Sequence, residues 1–307
     1  MSGSLVTTDV GVAVARLRAG GLVAMPTETV YGLAADAENA AAVARIFAVK
    51  GRPADHPLIV HLASAGQLGE WVTDVPTPAA ALAAACWPGP LTMLLARSAR
   101  VPDALTGGRD TVGIRVPAHP LAQELLERFG GGLAAPSANR FGRVSPTTAE
   151  HVLADLGRHL DPDRDVILDG GASPVGVEST IVDCTTDPPQ VLRPGGIPTE
   201  DIERLLGIEL AAASGPSRAA GMLASHYAPH ATVHLVDTRT EADALVARLA
   251  SATLLDHTDD LVTYARTLYA SLREADASGA TDVVAVLPPA VGLGHAIRDR
   301  LAKAAAG

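Results

Sequence analysis

The chain has 307 residues, 48% apolar and only 3% aromatic, enough for two domains cored by Ala, Val and Leu. Its formal net charge of −10 argues against broad nonspecific nucleic-acid binding, which needs many cations to displace counterions, though a local basic pocket remains compatible. No apolar run reaches membrane-span length and Asp9, Arg16 and Arg18 interrupt the first one, so neither a membrane span nor a signal peptide is expected. Cys86 and Cys184 stand apart without metal-ligand spacing, which predicts reduced thiols and a cytoplasmic protein.

In chain order, residues 10–19 read as a helix and Gly21-Leu22-Val23-Ala24-Met25 as a buried strand ending at Pro26. A loop dense in hydroxyls follows, then an alanine-rich run with a helix over 39–49 capped by Asn39 and ending near Lys50 and Arg52. Leu58–Leu62 is a strand carrying His61. Helices are expected over 64–71 and 76–86, before the break at Trp87-Pro88-Gly89-Pro90. Strands at Leu91–Ala96 and Thr111–Val116, a helix over 119–129, a short strand at Leu133–Ala135 and a hydroxyl-capped helix over 148–156 come next. Val166–Leu168, Ser179–Asp183 and Val191–Arg193 read as strands, and Pro198 to Leu206 as a helix. Strands and helices that do not strictly alternate predict an α/β domain with a twisted mixed sheet over residues 1–207. Residues 208–230 lose periodicity and suit a linker. Residues 231–307 alternate regularly as βαβαβα, a small Rossmann-like unit on a three-stranded parallel sheet. That unit lacks a glycine-rich phosphate turn after its first strand.

Phosphate-loop, dinucleotide, nucleophile-elbow and zinc-protease motifs are all absent. His226 and His230 are four apart, but Pro229 between them disfavours a shared helix face and a metal pair. What remains is a set of anion-binding groups at strand ends and helix starts. Lysine occurs only at positions 50 and 303, so Lys50 is either a compact ammonium needed in the interior or a solvated cation at a helix C-terminus. Arg115 lies between Ile114 and Val116; it either faces solvent or holds a carboxylate or phosphate by a bidentate pair. Ser145 is either an ordinary helix cap or a phosphate contact. No Ser or Cys has a recognisable partner base, so chemistry here would rest on positioning and charge stabilisation.

The ordered blocks Pro26-Thr27-Glu28-Thr29-Val30-Tyr31-Gly32, Lys50-Gly51-Arg52-Pro53, Pro57-Leu58-Ile59-Val60-His61, Trp87-Pro88-Gly89-Pro90-Leu91-Thr92, Arg115-Val116-Pro117, Ala135-Pro136-Ser137-Ala138-Asn139, Ser145-Pro146-Thr147, Glu178-Ser179-Thr180-Ile181, Arg193-Pro194-Gly195 and His226-Tyr227-Ala228-Pro229 closely resemble one family. It is the YrdC-like threonylcarbamoyl-AMP synthases in their longer two-domain form. The resemblance implies that L-threonine, bicarbonate and ATP, with Mg²⁺, give threonylcarbamoyl-AMP and pyrophosphate. A downstream threonylcarbamoyl-transferase machinery would use the product to make N6-threonylcarbamoyladenosine in tRNA. Direct tRNA binding is left open. By matching position, Thr29, His61, Arg115, Ala135 and Ser179 would surround threonine. Arg52, His56, Thr111, Ser137, Ser145, Arg193 and Tyr227 would contact the nucleotide, with Lys50 near its phosphates. Lys50, Arg52 and Arg115 are then the expected catalytic residues, and no resident metal ligand is implied.

Two departures stand out: His56 where the family commonly has Asn, and Met222-Leu223-Ala224-Ser225 where it often has Lys and Arg. Tyr227 is expected to fold over the pocket as a lid. The rival readings are a noncatalytic RNA-binding module and a carbamoyl-transfer domain of the hydrogenase-maturation type. The first is opposed by the few aromatics and acidic balance, the second by the lack of Cys-x-x-Cys pairs.

Overall fold

The computed structural model describes residues 4–212 and 226–307. The mixed sheet carries β1 (Val6–Thr7), β2 (Val23–Met25), β3 (Gly32–Asp36), β4 (Ile59–His61), β5 (Leu91–Ala96), β6 (Thr111–Arg115), β7 (Leu133–Ala134), β8 (Val166–Leu168), β9 (Thr180–Asp183), β10 (Gln190–Arg193) and β11 (Ala211–Ala212). Their spatial order is β1-β8-β2-β3-β7-β4-β6-β5-β9-β10-β11, with parallel and antiparallel neighbours mixed. Helices α1 (Val10–Arg18), α2 (Ala40–Lys50), α3 (Leu68–Trp71), α4 (Thr77–Cys86), α5 (Asp103–Thr106), α6 (Pro120–Phe129), α7 (Ala149–Leu156) and α8 (Thr199–Leu206) accompany it. Most strands are buried on both faces, which explains why they read as continuous apolar runs rather than alternations.

The sequence reading missed β3. Gly32-Leu33-Ala34-Ala35-Asp36 has poor strand propensity, yet it pairs antiparallel with β2 and with β7 and is almost wholly buried. Tertiary packing overrides local preference there. The hydroxyl-rich segment 26–31 is therefore the loop of a β2–β3 hairpin, sewn to a second loop by Tyr31 N–H to the Pro146 carbonyl (2.9 Å) and Ala138 N–H to the Tyr31 carbonyl (2.8 Å). The helix that follows is as expected: Asn39 accepts from the N–H groups of Ala41 and Ala42, both at 3.1 Å. Gly51 (φ +63°) ends it in the left-handed region, turning Arg52 back toward the sheet.

The second sheet consists of β12 (Thr232–Val236), β13 (Ala252–Leu255) and β14 (Asp282–Val286), all parallel, in the order β12-β14-β13. Helices α9 (Arg239–Val246), α10 (Leu261–Ala277) and α11 (Gly294–Ala305) complete the βαβαβα pattern. One apolar cluster joins the two units: Val30, Val144 and Val177 from the loops of the first pack with Tyr227 and with Tyr264, Leu268 and Tyr269 of α10. Within the stretch read as a linker, β11 pairs parallel with β10 and so extends the first sheet past residue 207. Residues 213–225, which include the Met222–Ser225 departure, lie outside the described residues.

Candidate active site

The hairpin loop, the ends of β4 and β6, the entry to β9 and the segment after residue 225 converge on one cavity of about 50 Å³, lined by Thr29, His61, Arg115, Ala135 and Ser179 among others. Register explains part of this. His61 pairs with Arg115 and Arg115 with Thr92 across adjacent strands, so the three share one face in a row. Thr92 and Ser179 hydroxyls are 2.8 Å apart, which ties that row to β9. All five residues expected around the amino acid thus line a common space.

Arg115 is 5% exposed, which removes the solvent-facing alternative. Its Nη2 lies 2.8 Å from Glu28 Oε1, and the other oxygen of Glu28 accepts from Ala118 N–H at 3.0 Å. Glu28 went unassigned in the sequence reading. Its position in the hydroxyl loop carried no charge-pairing signal, because its partner lies 87 residues away. Arg115 Nε is buried with no hydrogen-bond partner. The nearby His61 imidazole is pulled down to about 3 by burial and then by the charge of Arg115, so it is neutral at neutral pH, and its Nδ1 is also unpartnered.

At the other end, Arg52, Ser137, Arg193 and Tyr227 line the same cavity. Arg193 donates through Nε (3.2 Å) and Nη2 (2.8 Å) to the Ser179 carbonyl and through Nη2 to the Ser179 hydroxyl (3.1 Å). Burial holds Arg52 down to about 10, still a cation at neutral pH, and its Nε is unpartnered. His226, missed by sequence reasoning as a site residue, lines the cavity too; burial pulls it down to about 3. Its ring meets Tyr227 edge-on at 4.2 Å. Tyr227 has φ +65°, the one non-glycine residue with positive φ among the described residues, a conformation that costs roughly 1–2 kcal/mol.

Four expected residues lie outside this lining: Lys50, His56, Thr111 and Ser145. Lys50 is 2% exposed, which excludes the solvated-cation alternative. It donates to the carbonyls of Ser137 (2.6 Å) and Asn139 (2.5 Å), and burial followed by Arg52 pushes its ammonium well below the usual range. It thus braces the loop that carries Ser137. His56 packs against Phe141 at 5.4 Å, and burial lowers it. Thr111 opens β6 at the end opposite Arg115. Ser145 is not the cap of α7, a role taken by Thr148; its hydroxyl donates instead to Glu178 Oε1 at 2.7 Å. The cap reading fails because helix α7 begins at Ala149, beyond the reach of residue 145.

Glu178 is the other acid the sequence reading left without a role. Burial alone would raise it, but Arg300, then Arg193, and the Ser145 hydroxyl hold it down to about 2. Gly195 lets the Arg193-Pro194-Gly195 turn press on that strand entry: a Cβ there would sit 2.4 Å from Ser179 C and from the Glu178 carbonyl oxygen.

A family model described as telomere recombination, covering Sua5, YciO and YrdC, matches residues 15–195, and one described as the threonylcarbamoyl-AMP synthase C-terminal domain matches residues 197–306. The chain belongs to this family. Among its relatives, threonylcarbamoyl-AMP synthase of Pyrococcus abyssi is 43% identical over 94% of this chain and 91% of its own length. That of Bacillus subtilis is 40% identical over 96% and 92%. A crystal structure of P. abyssi Sua5 complexed with L-threonine superposes with a TM-score of 0.91 at 40% identity, covering 97% of this chain and 94% of that one. Both units of the fold therefore have counterparts in a single solved family member. No helix among the described residues is long and apolar enough to cross a membrane.

Proposed function

We propose that the chain condenses L-threonine, bicarbonate and ATP into threonylcarbamoyl-AMP, pyrophosphate and water. The observation that carries this reading is the convergence of Thr29, His61, Arg115, Ala135 and Ser179 with the guanidiniums of Arg52 and Arg193 on one cavity. The likeness to relatives named threonylcarbamoyl-AMP synthase favours the enzyme over an RNA-binding module.

Arg115 gives one N–H of Nη2 to Glu28 and leaves Nε without a partner, so its guanidinium has donors to spare for the amino-acid carboxylate. Neutral His61 adds a hydrogen bond without a second charge. The amino nitrogen of threonine, freed of its proton, takes up the carbon of bicarbonate with loss of water. One oxygen of the new carboxylate then attacks the α-phosphorus, and the bond to pyrophosphate breaks. Arg52 and Arg193 supply fixed positive charge for the phosphates, so this chain acts by positioning and electrostatics rather than through a nucleophile.

Among the described residues no group of three or more His, Cys, Asp or Glu side chains could hold a metal, and Glu28 and Glu178 are taken up by arginines and N–H or O–H donors. Mg²⁺ fits here as a companion of the triphosphate completed by water, where it neutralises phosphate charge. His226 and Tyr227, on the segment between the two units, line the cavity, so movement of that segment would admit the nucleotide. The product, a mixed carbamic–phosphoric anhydride, suits consumption by a transferase acting on tRNA.

The test is pyrophosphate release from Mg-ATP with bicarbonate, comparing L-threonine, L-serine and no amino acid, with Arg115→Ala alongside. Threonine-dependent release, lowered more than about 100-fold in the folded variant, is expected. Release indifferent to the amino acid, or none from a folded wild type, overturns the proposal.

A further inference from the structure

Arg300 of α11 is wholly buried although it is a charged residue of the small C-terminal unit. Its Nε donates to Glu178 Oε2 at 2.7 Å and its Nη1 to Asp299 Oδ2 at 2.5 Å, and its guanidinium carbon stands 5.3 Å from the centre of the Tyr227 ring. From α10, the Tyr269 hydroxyl lies 2.8 Å and 3.0 Å from the two oxygens of Glu178. A carboxylate at the cavity wall of the first unit is thus saturated by donors from the second. Among the described residues, the one other side-chain donor to that carboxylate is Ser145.

A buried arginine–carboxylate pair between two folded units is a costly way to add stability, since desolvation consumes most of the Coulombic gain. It does fix geometry. With Glu178 ionised, the Ser145 hydroxyl must donate to it, so its lone pairs, not its proton, are what it can offer elsewhere. Ser179, by contrast, is held independently of Arg300, by Thr92 and Arg193.

We infer that Arg300 is a positioning residue for the nucleotide end of the site: it fixes the carboxylate of Glu178 in the cavity wall, and through its face contact it seats Tyr227. The C-terminal unit on this account is part of the machinery that recognises ATP rather than only a support for the segment before it. The inference rests on the function proposed above and assigns the effect to one substrate, because the amino-acid end is anchored by strands that Arg300 does not touch.

Arg300→Met, Arg300→Lys and Glu178→Gln are made in the full chain, and Mg-ATP and L-threonine are titrated separately by calorimetry, with thermal melting as the check on folding. Arg300→Met should weaken ATP about tenfold while moving threonine by less than about twofold, and Arg300→Lys, which keeps the charge but not the planar fork, should recover only part of that loss. Glu178→Gln, which keeps the volume of the side chain, should reproduce the ATP loss even where Arg300→Met does not fold. ATP binding at wild-type strength in both Arg300→Met and Glu178→Gln overturns the inference alone, as does equal weakening of both ligands. A wild type that binds neither ligand overturns the proposed function and this inference together.

Discussion

At one end of the cavity His61 and Arg115 stand on paired strands in register, with Ser179 at the entry to β9. At the other end, His226 and Tyr227 stand on a segment between two folded units, backed by α10 and α11. The first end is held by backbone ladders that form whether or not a ligand is near. The second has no such ladder: single backbone bonds from His226 N–H to the Lys303 carbonyl (3.3 Å) and from Ala228 N–H to the Gly142 carbonyl (2.9 Å) flank Tyr227, which keeps a left-handed backbone with His226, Tyr269 (5.5 Å between rings) and Arg300 packed around it. Strain of that kind survives only where its surroundings outvote it, so the conformation of Tyr227 depends on contacts from both units. Side chains on paired strands keep their spacing, which suits the fixed shape of an amino acid, whereas the other end depends on contacts from the second unit.

The largest effect is expected at Gly195, where the turn behind Arg193 presses on the strand entry shared by both ends. Gly195→Ala forces a methyl to within 2.4 Å of backbone atoms that cannot step aside. A loss of several kcal/mol in denaturant unfolding is expected, on the scale of about 3 kcal/mol or more for overpacking against backbone. Wild-type stability in this variant would mean that the turn floats free of the strand.

An acid titration tests both ends at once. His61 and His226 are each held down to about 3 when folded, against an ordinary value of 6.5. The unfolded chain therefore binds more protons between those limits, and stability present above pH 6.5 is lost as pH falls toward 3. Each histidine contributes a slope of roughly 1 kcal/mol per pH unit inside that window. Glu178, held at about 2, adds a loss of the same sign below its unfolded value of 4.5. Melting curves between pH 7 and pH 4 should fall, and His61→Gln should flatten the slope without moving the neutral-pH melting point upward by more than a few degrees. A flat wild-type profile would show that these imidazoles are solvated.

The smallest expected effect belongs to Thr92→Val, which keeps shape and removes the hydroxyl 2.8 Å from Ser179. Since Arg193 still holds Ser179, the cost should be about 1 kcal/mol of stability, with threonine binding weakened only a few-fold. A loss as large as that of Arg115→Ala would show that the amino-acid end is less redundantly built than its ladders indicate.

Much of the fold was legible along the chain. Apolar runs bounded by Gly and Pro marked most strands, and Asn39 and the hydroxyl-rich run at 145–148 marked helix starts, because these signals act within a few residues of themselves. Strand β3 was not legible, since an Ala-rich strand owes its form to neighbours on both sides. In the site, the motif blocks named most of the residues now lining the cavity, but neither Glu28 nor Glu178 had a visible partner. Ion pairs to residues 87 and 122 positions away leave no local trace. For the same reason Lys50 and Arg115 each kept two readings until burial chose between them. The amino-acid sequence by itself determined the family, the mixed α/β order of elements and the residue types around the cavity, since these follow from periodicity, turn chemistry and ordered motifs. Only the tertiary structure decided which charges meet, that Ser145 serves a carboxylate rather than a helix end, and that the C-terminal unit reaches the site through Arg300. Those outcomes depend on what lies across the fold and on the cost of leaving a buried charge alone.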